Sequence, residues 1–285
     1  MIWHNGALRE GTTIALDAGD RGLLLGDGLF ETVAVFNRTP FRLADHWDRM
    51  SLAADRLGIP LDRAVLDRAT SALVSGSADD HGVLRITVTR GAGPRGLAPA
   101  SDMTPTVLAT LAPWRPDMAF RSVALATSSI RRNSGSPLSR IKSLGYLDNV
   151  LALREALDLG ADDALLLNEA GSVACSSAAN VFVVSGVRLL TPPIEDGVLP
   201  GITRALVLRH AAELGLSAAE TTLTPADLRS ADAAFLTNSV RLLDRVRRLD
   251  ASDLGERDTE IVEAVSRLIA DAVRRETGFG LRPFR

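Results

Sequence analysis

The stretch with the clearest chemical potential is Arg140-Ile141-Lys142-Ser143-Leu144-Gly145-Tyr146-Leu147-Asp148-Asn149-Val150, at mid-sequence. It sets a lysine between an apolar residue and a run patterned as the start of a helix. Most of the chain's 32 basic residues are arginines. A lysine in such a setting can be partly desolvated, which suits it to Schiff-base chemistry. The same pattern also describes a plain surface lysine ahead of a helix, so the rest of the chain must decide.

Two further clusters could serve an anion. Leu199-Pro200-Gly201-Ile202-Thr203-Arg204 places a glycine, unpaired amides and a hydroxyl at an expected helix start, where free N–H groups and the helix dipole favour a phosphate. Leu236-Thr237-Asn238-Ser239 follows an expected strand and brings more polar side chains, and Arg49, on an amphipathic helix, could add charge. Each has a bland alternative, a helix start that binds only water or a solvated arginine. Together they fit one need, to hold a phosphorylated aldehyde against an amine, and pyridoxal 5′-phosphate is such a molecule.

These residues need positioning elements. At 285 residues, 46% apolar and 24% charged, the chain reads as a globular protein of two ordinary domains. We expect an α+β fold: a small N-terminal α/β domain over 1–114, a connection over 115–130, and a larger, β-rich C-terminal domain with flanking helices over 131–285. Asn5-Gly6 signals a hairpin turn between residues 2–4 and 12–16. Glycines at 22, 26 and 28 lead into a strand over 30–36, with a return strand at 41–43. Helices are expected over 45–57 and 61–73, and strands over 82–90, 106–111 and 123–127. Residues 114–140 read as largely irregular. Beyond them we expect helices over 147–159, 201–214, 224–231 and 260–276, and strands over 163–168, 172–174, 181–184 and 233–237.

Composition also excludes functions. A net charge of −3 with interspersed signs offers no nucleic-acid or anionic-membrane surface. A lone cysteine, Cys175, rules out an internal disulfide, and four scattered histidines show no metal-binding spacing. The opening residues lack a signal-peptide pattern, and no apolar run approaches a membrane span, so a cytoplasmic protein is expected.

The chain resembles the class IV aminotransferases, the fold-type IV pyridoxal-phosphate enzymes, which include branched-chain and D-amino-acid aminotransferases and 4-amino-4-deoxychorismate lyase. Six ordered blocks carry the resemblance: Asp20-Arg21-Gly22 through Gly26-Asp27-Gly28-Leu29-Phe30-Glu31-Thr32; Asp45-His46 with Arg49; Arg90-Gly91-Ala92-Gly93-Pro94-Arg95-Gly96; Lys142-Ser143-Leu144 with Asn149; Ala179-Asn180-Val181-Phe182; and Gly201-Ile202-Thr203-Arg204. The resemblance implies that Lys142 carries the cofactor as a Schiff base and shuttles the proton. It implies a cofactor set of Arg49, Cys175, Asn180, Leu199, Gly201, Ile202, Thr203, Asn238 and Ser239. Phe30, Arg95 and Leu97 would meet the substrate, with Arg95 as the carboxylate contact. A homodimer acting on a small-molecule amino donor and a keto-acid acceptor is the implied assembly, with no metal.

Two departures bear on the reaction. The family usually has a glutamate where this chain has Cys175, ion-paired to the ring nitrogen; a thiol cannot supply that charge, so the ring should be a weaker electron sink. The bland reading of Cys175 is a small buried filler. Phe30 and Leu97 lack the polar groups of D-amino-acid aminotransferases. We read an aminotransferase, moving an amino group between an amino acid or primary amine and a 2-keto acid, with 4-amino-4-deoxychorismate lyase as the alternative. A cofactor-weak relative serving as a binding module is a further alternative.

Overall fold

The computed structural model describes residues 1–254 and 259–284. The chain forms two compact units: Met1–Arg115 with Ile141–Gly145 and Glu276–Phe279, and Pro116–Arg140 with Tyr146–Arg275 and Gly280–Arg285.

The first unit opens with the hairpin β1 (Ile2–His4) and β2 (Ala7–Arg9). Asn5 and Gly6 both take positive φ, +44° and +92°, the conformation that matches a two-residue turn to strand twist. That tight turn pairs Trp3 with Leu8, so the partner strand is residues 7–9 rather than 12–16. The glycine-rich entry is a short helix, α1 (Arg21–Leu25), capped by the Asp20 side chain and ended by Gly26 at φ +66°. Next come β3 (Gly28–Phe36) and β4 (Thr39–Pro40). Arg42 turns left-handed at φ +58° and starts α2 (Leu43–Leu57), which replaces the expected strand at 41–43. Helix α3 (Arg63–Gly76) and strands β5 (Gly82–Thr89) and β6 (Thr106–Pro113) follow. The sheet runs β2-β1-β6-β5-β3-β4, with each pairing antiparallel.

Period-two alternation sorts β3. Leu29, Val33 and Val35, with Leu84, Ile86 and Val88 of β5, meet Trp47 and Met50 of α2 and Leu66 and Leu73 of α3 in one apolar core. Phe30 and Thr32 take the other face. Glu31 falls on the core face by the same parity, and it is buried.

In the second unit, β7 (Ser122–Arg132) occupies most of the stretch expected to be connection. The strand expected over 123–127 is its first half; the polar second half, Ser128 to Arg132, escaped a hydrophobicity reading. Then come α4 (Leu147–Asp158), β8 (Asp163–Asn168), β9 (Val173–Ser176), β10 (Asn180–Ser185) and β11 (Arg188–Thr191). Helix α5 (Ile202–His210) passes into a 3₁₀ turn over Ala211–Leu214, shorter than the helix expected over 201–214. The chain continues through β12 (Ser217–Glu220), α6 (Pro225–Ser230), β13 (Ala233–Asn238), β14 (Leu242–Leu249), β15 (Ser252–Asp253) and α7 (Thr259–Thr277). Strand order is β12-β11-β10-β13-β14-β7-β8-β9, with β15 on β14. Parallel pairs β14–β7 and β7–β8 make the sheet mixed. Helix α4 covers an alanine-rich patch through Ala152 and Ala156, and α7 buries Val262, Val265, Ile269 and Val273 on one stripe.

Strand β14 was missed in the sequence because three arginines and an aspartate interrupt its apolar residues. Asp244 is buried there, its Oδ2 2.8 Å from Arg241 Nε, in ion-pair contact without hydrogen-bond alignment. Burial raises the Asp244 pKa to about 6, against the opposing charge of Arg241. A carboxyl raised from 3.8 to about 6 favours the folded state fully below pH 3.8, and that contribution is lost as pH rises through about 6. That rise corresponds to about 3 kcal/mol. Urea unfolding of the wild type and Asp244→Asn at pH 4.0 and 7.5 should therefore show the wild type losing about that much relative to the variant. Equal differences at the two pH values would refute this assignment.

Candidate functional site

Lys142 lies in the first unit, and it is the only lysine in the 285 residues. Its segment adds to the N-terminal half of β3 as a short antiparallel strand. Phe30 N donates to Lys142 O at 2.9 Å, Leu144 N donates to Gly28 O at 3.0 Å, and Leu29 pairs with Ser143. Ile141 joins the apolar core, so alternation sends Lys142 to the opposite face, where Nζ stands 4.3 Å from the centre of the Phe30 ring. Arg85 packs on the same ring at 3.9 Å. The lysine is half-buried, with its backbone locked by sheet hydrogen bonds. Gly28 is required there, because a Cβ would meet Val88 O and the Leu144 side chain.

Arg49 is also in this unit. Its Nε and Nη2 fork onto Glu31 Oε1 and Oε2 at 2.7 and 2.6 Å, and His46 Nδ1 donates to the same Oε2 at 2.7 Å. Burial by itself would raise the Glu31 pKa, but Arg49 and His46 hold it at about 2. The stabilisation from ionised Glu31 is present above about pH 4.5 and lost as pH falls toward 2. Burial lowers the His46 pKa, Glu31 opposes, and Arg49 and Lys142 lower it further, so the imidazole is neutral at pH 7. Glu31 and His46 stand in the blocks that carry the resemblance, but the sequence reading gave them no role. Their signal was a lone carboxylate on an apolar strand face, facing a histidine and an arginine one helical turn apart.

Arg95 is exposed and has no hydrogen-bond or ion-pair partner among the described residues; Leu97 is 83% exposed. The backbone beside them is held: Arg21 Nη1 and Nη2 donate to Gly96 O and Leu97 O at 2.8 and 2.7 Å. Arg21 in turn pairs with Asp27, which also takes Arg90. Burial opposes ionisation of Asp27, but hydrogen bonds from Arg90 and Arg21 outweigh it and lower its pKa. Asp27→Asn leaves two largely buried guanidiniums without their carboxylate, and should cost about 3 kcal/mol of unfolding free energy. A urea titration that finds less than about 1 kcal/mol would contradict this.

The remaining residues lie in the second unit. Gly201 caps α5 without any side-chain hydrogen bond, so the first-turn amides at Ile202 and Thr203 have no intrahelical acceptor. Thr203 is buried. Asn180 Nδ2 donates to Leu199 O at 2.9 Å, and its Oδ1 sits where a Cβ on Gly201 would fall, so glycine alone fits this approach. Asn238 Oδ1 accepts from Val240 N and Arg241 N, while Nδ2 donates to Ala178 O. Ser239 is half-buried in the same turn, and the Thr237 hydroxyl is buried with no hydrogen-bond partner.

Cys175 lies on β9 opposite Leu166, buried in the alanine-rich patch with Ala124, Ala126 and Ala164. Burial pushes its thiol pKa up, against the pull of Arg132. Arg132 is the unforeseen neighbour. Its guanidinium donates to Gly197 O, Asn149 Oδ1 and Ser139 O, neutral oxygens that leave its charge without a carboxylate. Arg132 is thus committed to this clamp, and Arg241 is committed to Asp163 and Asp244.

Comparison with known proteins shows the family and the fold. The family model for amino-transferase class IV matches residues 28–249. A branched-chain-amino-acid aminotransferase of Pseudomonas aeruginosa is 31% identical, over 97% of this chain and 94% of its own length. The crystal structure of 4-amino-4-deoxychorismate lyase from Pseudomonas aeruginosa superposes with a TM-score of 0.81 at 31% identity, covering 98% of this chain and 100% of that one. A hypothetical aminotransferase from Mycobacterium tuberculosis in its PLP-bound form gives a TM-score of 0.83 at 26% identity, covering 96% and 98%. The chain belongs to the class IV amino-transferase family of fold-type IV pyridoxal-phosphate enzymes. Its α+β fold is the architecture of that family, an N-terminal α/β region and a larger sheet with flanking helices.

Proposed function

We propose that this chain is a pyridoxal-phosphate-dependent aminotransferase that moves an amino group between an amino acid or primary amine and a 2-keto acid. The observation that carries the proposal is Lys142: the chain's sole lysine, locked to β3 with its ammonium against Phe30. Residues elsewhere fit the cofactor. An uncapped helix N-terminus at Ile202 and Thr203, the close approach at Gly201 and the unpartnered Thr237 hydroxyl suit a phosphate. Bound, the cofactor supplies an aldehyde for condensation with an amine and a ring that takes up the released electron pair.

The chain's own groups do the rest. Lys142 provides the nucleophilic amine and afterwards moves the proton. Ile202 and Thr203 give amides and a hydroxyl to the phosphate, with Asn238 and Ser239 completing its contacts. Asn180 fixes Leu199 and Gly201 so that the helix start holds its place. Arg95, exposed and unpaired, takes the substrate carboxylate, while Phe30 and Leu97 offer apolar walls that donate no hydrogen bond. Three consecutive exposed leucines on α1, Leu23, Leu24 and Leu25, support a homodimer.

Cys175 favours a second reading, aminodeoxychorismate lyase chemistry, because a neutral buried thiol cannot hold a proton on the ring nitrogen. Incubation with D-alanine or L-leucine plus 2-oxoglutarate, and separately with aminodeoxychorismate, decides. Keto-acid exchange supports the aminotransferase; pyruvate and 4-aminobenzoate without exchange would replace it with the lyase. A protein that acquires no absorbance with pyridoxal phosphate is neither.

A further inference from the structure

The turn that carries Asn238 and Ser239 is held more tightly than a hairpin connection requires. Asn238 Oδ1 accepts from Val240 N and Arg241 N at 3.0 and 2.7 Å, and its Nδ2 donates to Ala178 O at 3.2 Å. Phe120 N donates to Arg241 O at 3.3 Å. The next residue, Leu242, is fully buried and takes a φ of +62°. A bulky side chain in the left-handed region persists only where its surroundings fix the backbone.

The Arg241 side chain supplies the charged part of that restraint. Its Nη2 donates to Asp163 Oδ2 at 2.8 Å, and its Nε stands 2.8 Å from Asp244 Oδ2. Both carboxylates are 1% exposed, against 20% for the guanidinium. Asp163 is itself fastened: Oδ1 accepts from Ala164 N and Ser177 N, and Oδ2 accepts from the Ser176 hydroxyl. Strand β8, which carries Asp163, is separated from β14 by β7. One guanidinium therefore ties the β13–β14 turn to Asp163, and through it to Ser176 and Ser177. As a stabilising device this is poor, because three charged groups leave water at a cost that their attraction only roughly offsets. As a way of fixing backbone it is good, since a planar fork can hold two carboxylates at once.

Thr237, one residue before the turn, is the link to α5. It pairs with Asn180 across β13 and β10, and Asn180 holds Leu199 O and closes on Gly201. The buried Thr237 hydroxyl has no hydrogen-bond partner. All of these residues belong to one compact unit.

We propose that Arg241, held between Asp163 and Asp244, is a positioning residue that sets the Asn238–Ser239 turn beside the start of α5 and so fixes the affinity for the cofactor phosphate. This deepens the reading of the chain as a pyridoxal-phosphate enzyme and rests on it. Arg241 acts through the backbone of the turn, with its guanidinium committed to the two carboxylates.

The test is equilibrium dialysis of the full chain, freed of cofactor, against pyridoxal phosphate and, separately, against pyridoxal. Arg241→Lys keeps the charge but cannot hold both carboxylates at once. Asp163→Asn keeps the shape of its side chain but removes the charge. Thermal melts check that each variant folds, and Asp163→Asn carries the test if Arg241→Lys does not fold. The expected result is about tenfold weaker binding of pyridoxal phosphate by Arg241→Lys and about threefold by Asp163→Asn, with pyridoxal affinity unchanged in both. A merely structural role would lower both affinities together, and that parallel fall would overturn the proposal. So would an undiminished preference for the phosphorylated compound in a folded variant. Failure of the wild type to bind either compound would instead remove the functional reading on which the proposal stands.

Discussion

Lys142→Ala gives a folded protein that forms no covalent bond to pyridoxal phosphate and loses catalytic rate by on the order of 10³-fold or more. The fold should survive because the interactions that fix this segment are made by backbone, through Lys142 O and Leu144 N, and by the buried Ile141. None of these needs the ammonium. The rate falls because one amine is asked to be both the nucleophile and the group that moves the proton. With no second lysine in the chain, no neighbouring side chain can take over the linkage. Borohydride treatment of cofactor-loaded wild type should fix one label on the peptide containing Lys142, and the variant should show neither label nor absorbance band. A labelled, coloured Lys142→Ala protein would end the assignment.

Cys175→Glu should raise the rate of amino transfer about tenfold and shift the absorbance of the bound cofactor, by holding a proton on the ring nitrogen. The structure adds an electrostatic reason to expect a charged carboxylate at this buried place. Burial pushes the pKa of the thiol there up and Arg132 opposes that rise, while its own hydrogen-bond partners are neutral oxygens. The cost is steric. Glutamate brings extra atoms into a patch built of alanines, so the variant should also lose about 1–3 kcal/mol of stability. Unchanged rate and spectrum in a folded variant would mean that residue 175 does not face the ring. A faster lyase reaction with no gain in amino transfer would favour the second reading instead.

Local patterns made much of the fold legible. The alternation through 30–36 and 82–90 marked β3 and β5, the period of apolar residues marked α2 and α7, and Asn5-Gly6 marked the first turn. Errors fell where polar residues enter the sheet. The second half of β7 and most of β14 carry serines, arginines and an aspartate whose burial depends on partners far away in sequence. Asp244 accepts from Arg121 N, and the Ser128 hydroxyl donates to Glu155. Hydrophobic periodicity cannot register such pairs, because it counts each polar residue as outward-facing.

The candidate site divides in the same way. Residue types and order alone determined the lysine, the helix-start Gly201-Ile202-Thr203, the polar turn at Asn238-Ser239 and the cysteine at 175, since each acts through its own side chain or its local backbone. Only the tertiary structure decided what surrounds them. It put Lys142 on β3 against Phe30, bound Arg49 to Glu31 and His46, tied the Arg95 loop to Arg21, and placed Arg132 near Cys175 with neutral acceptors. The physical reason is range. A nucleophile or a helix N-terminus is a property of a few adjacent residues, whereas the charge, burial and orientation that tune it come from side chains brought together by the sheet.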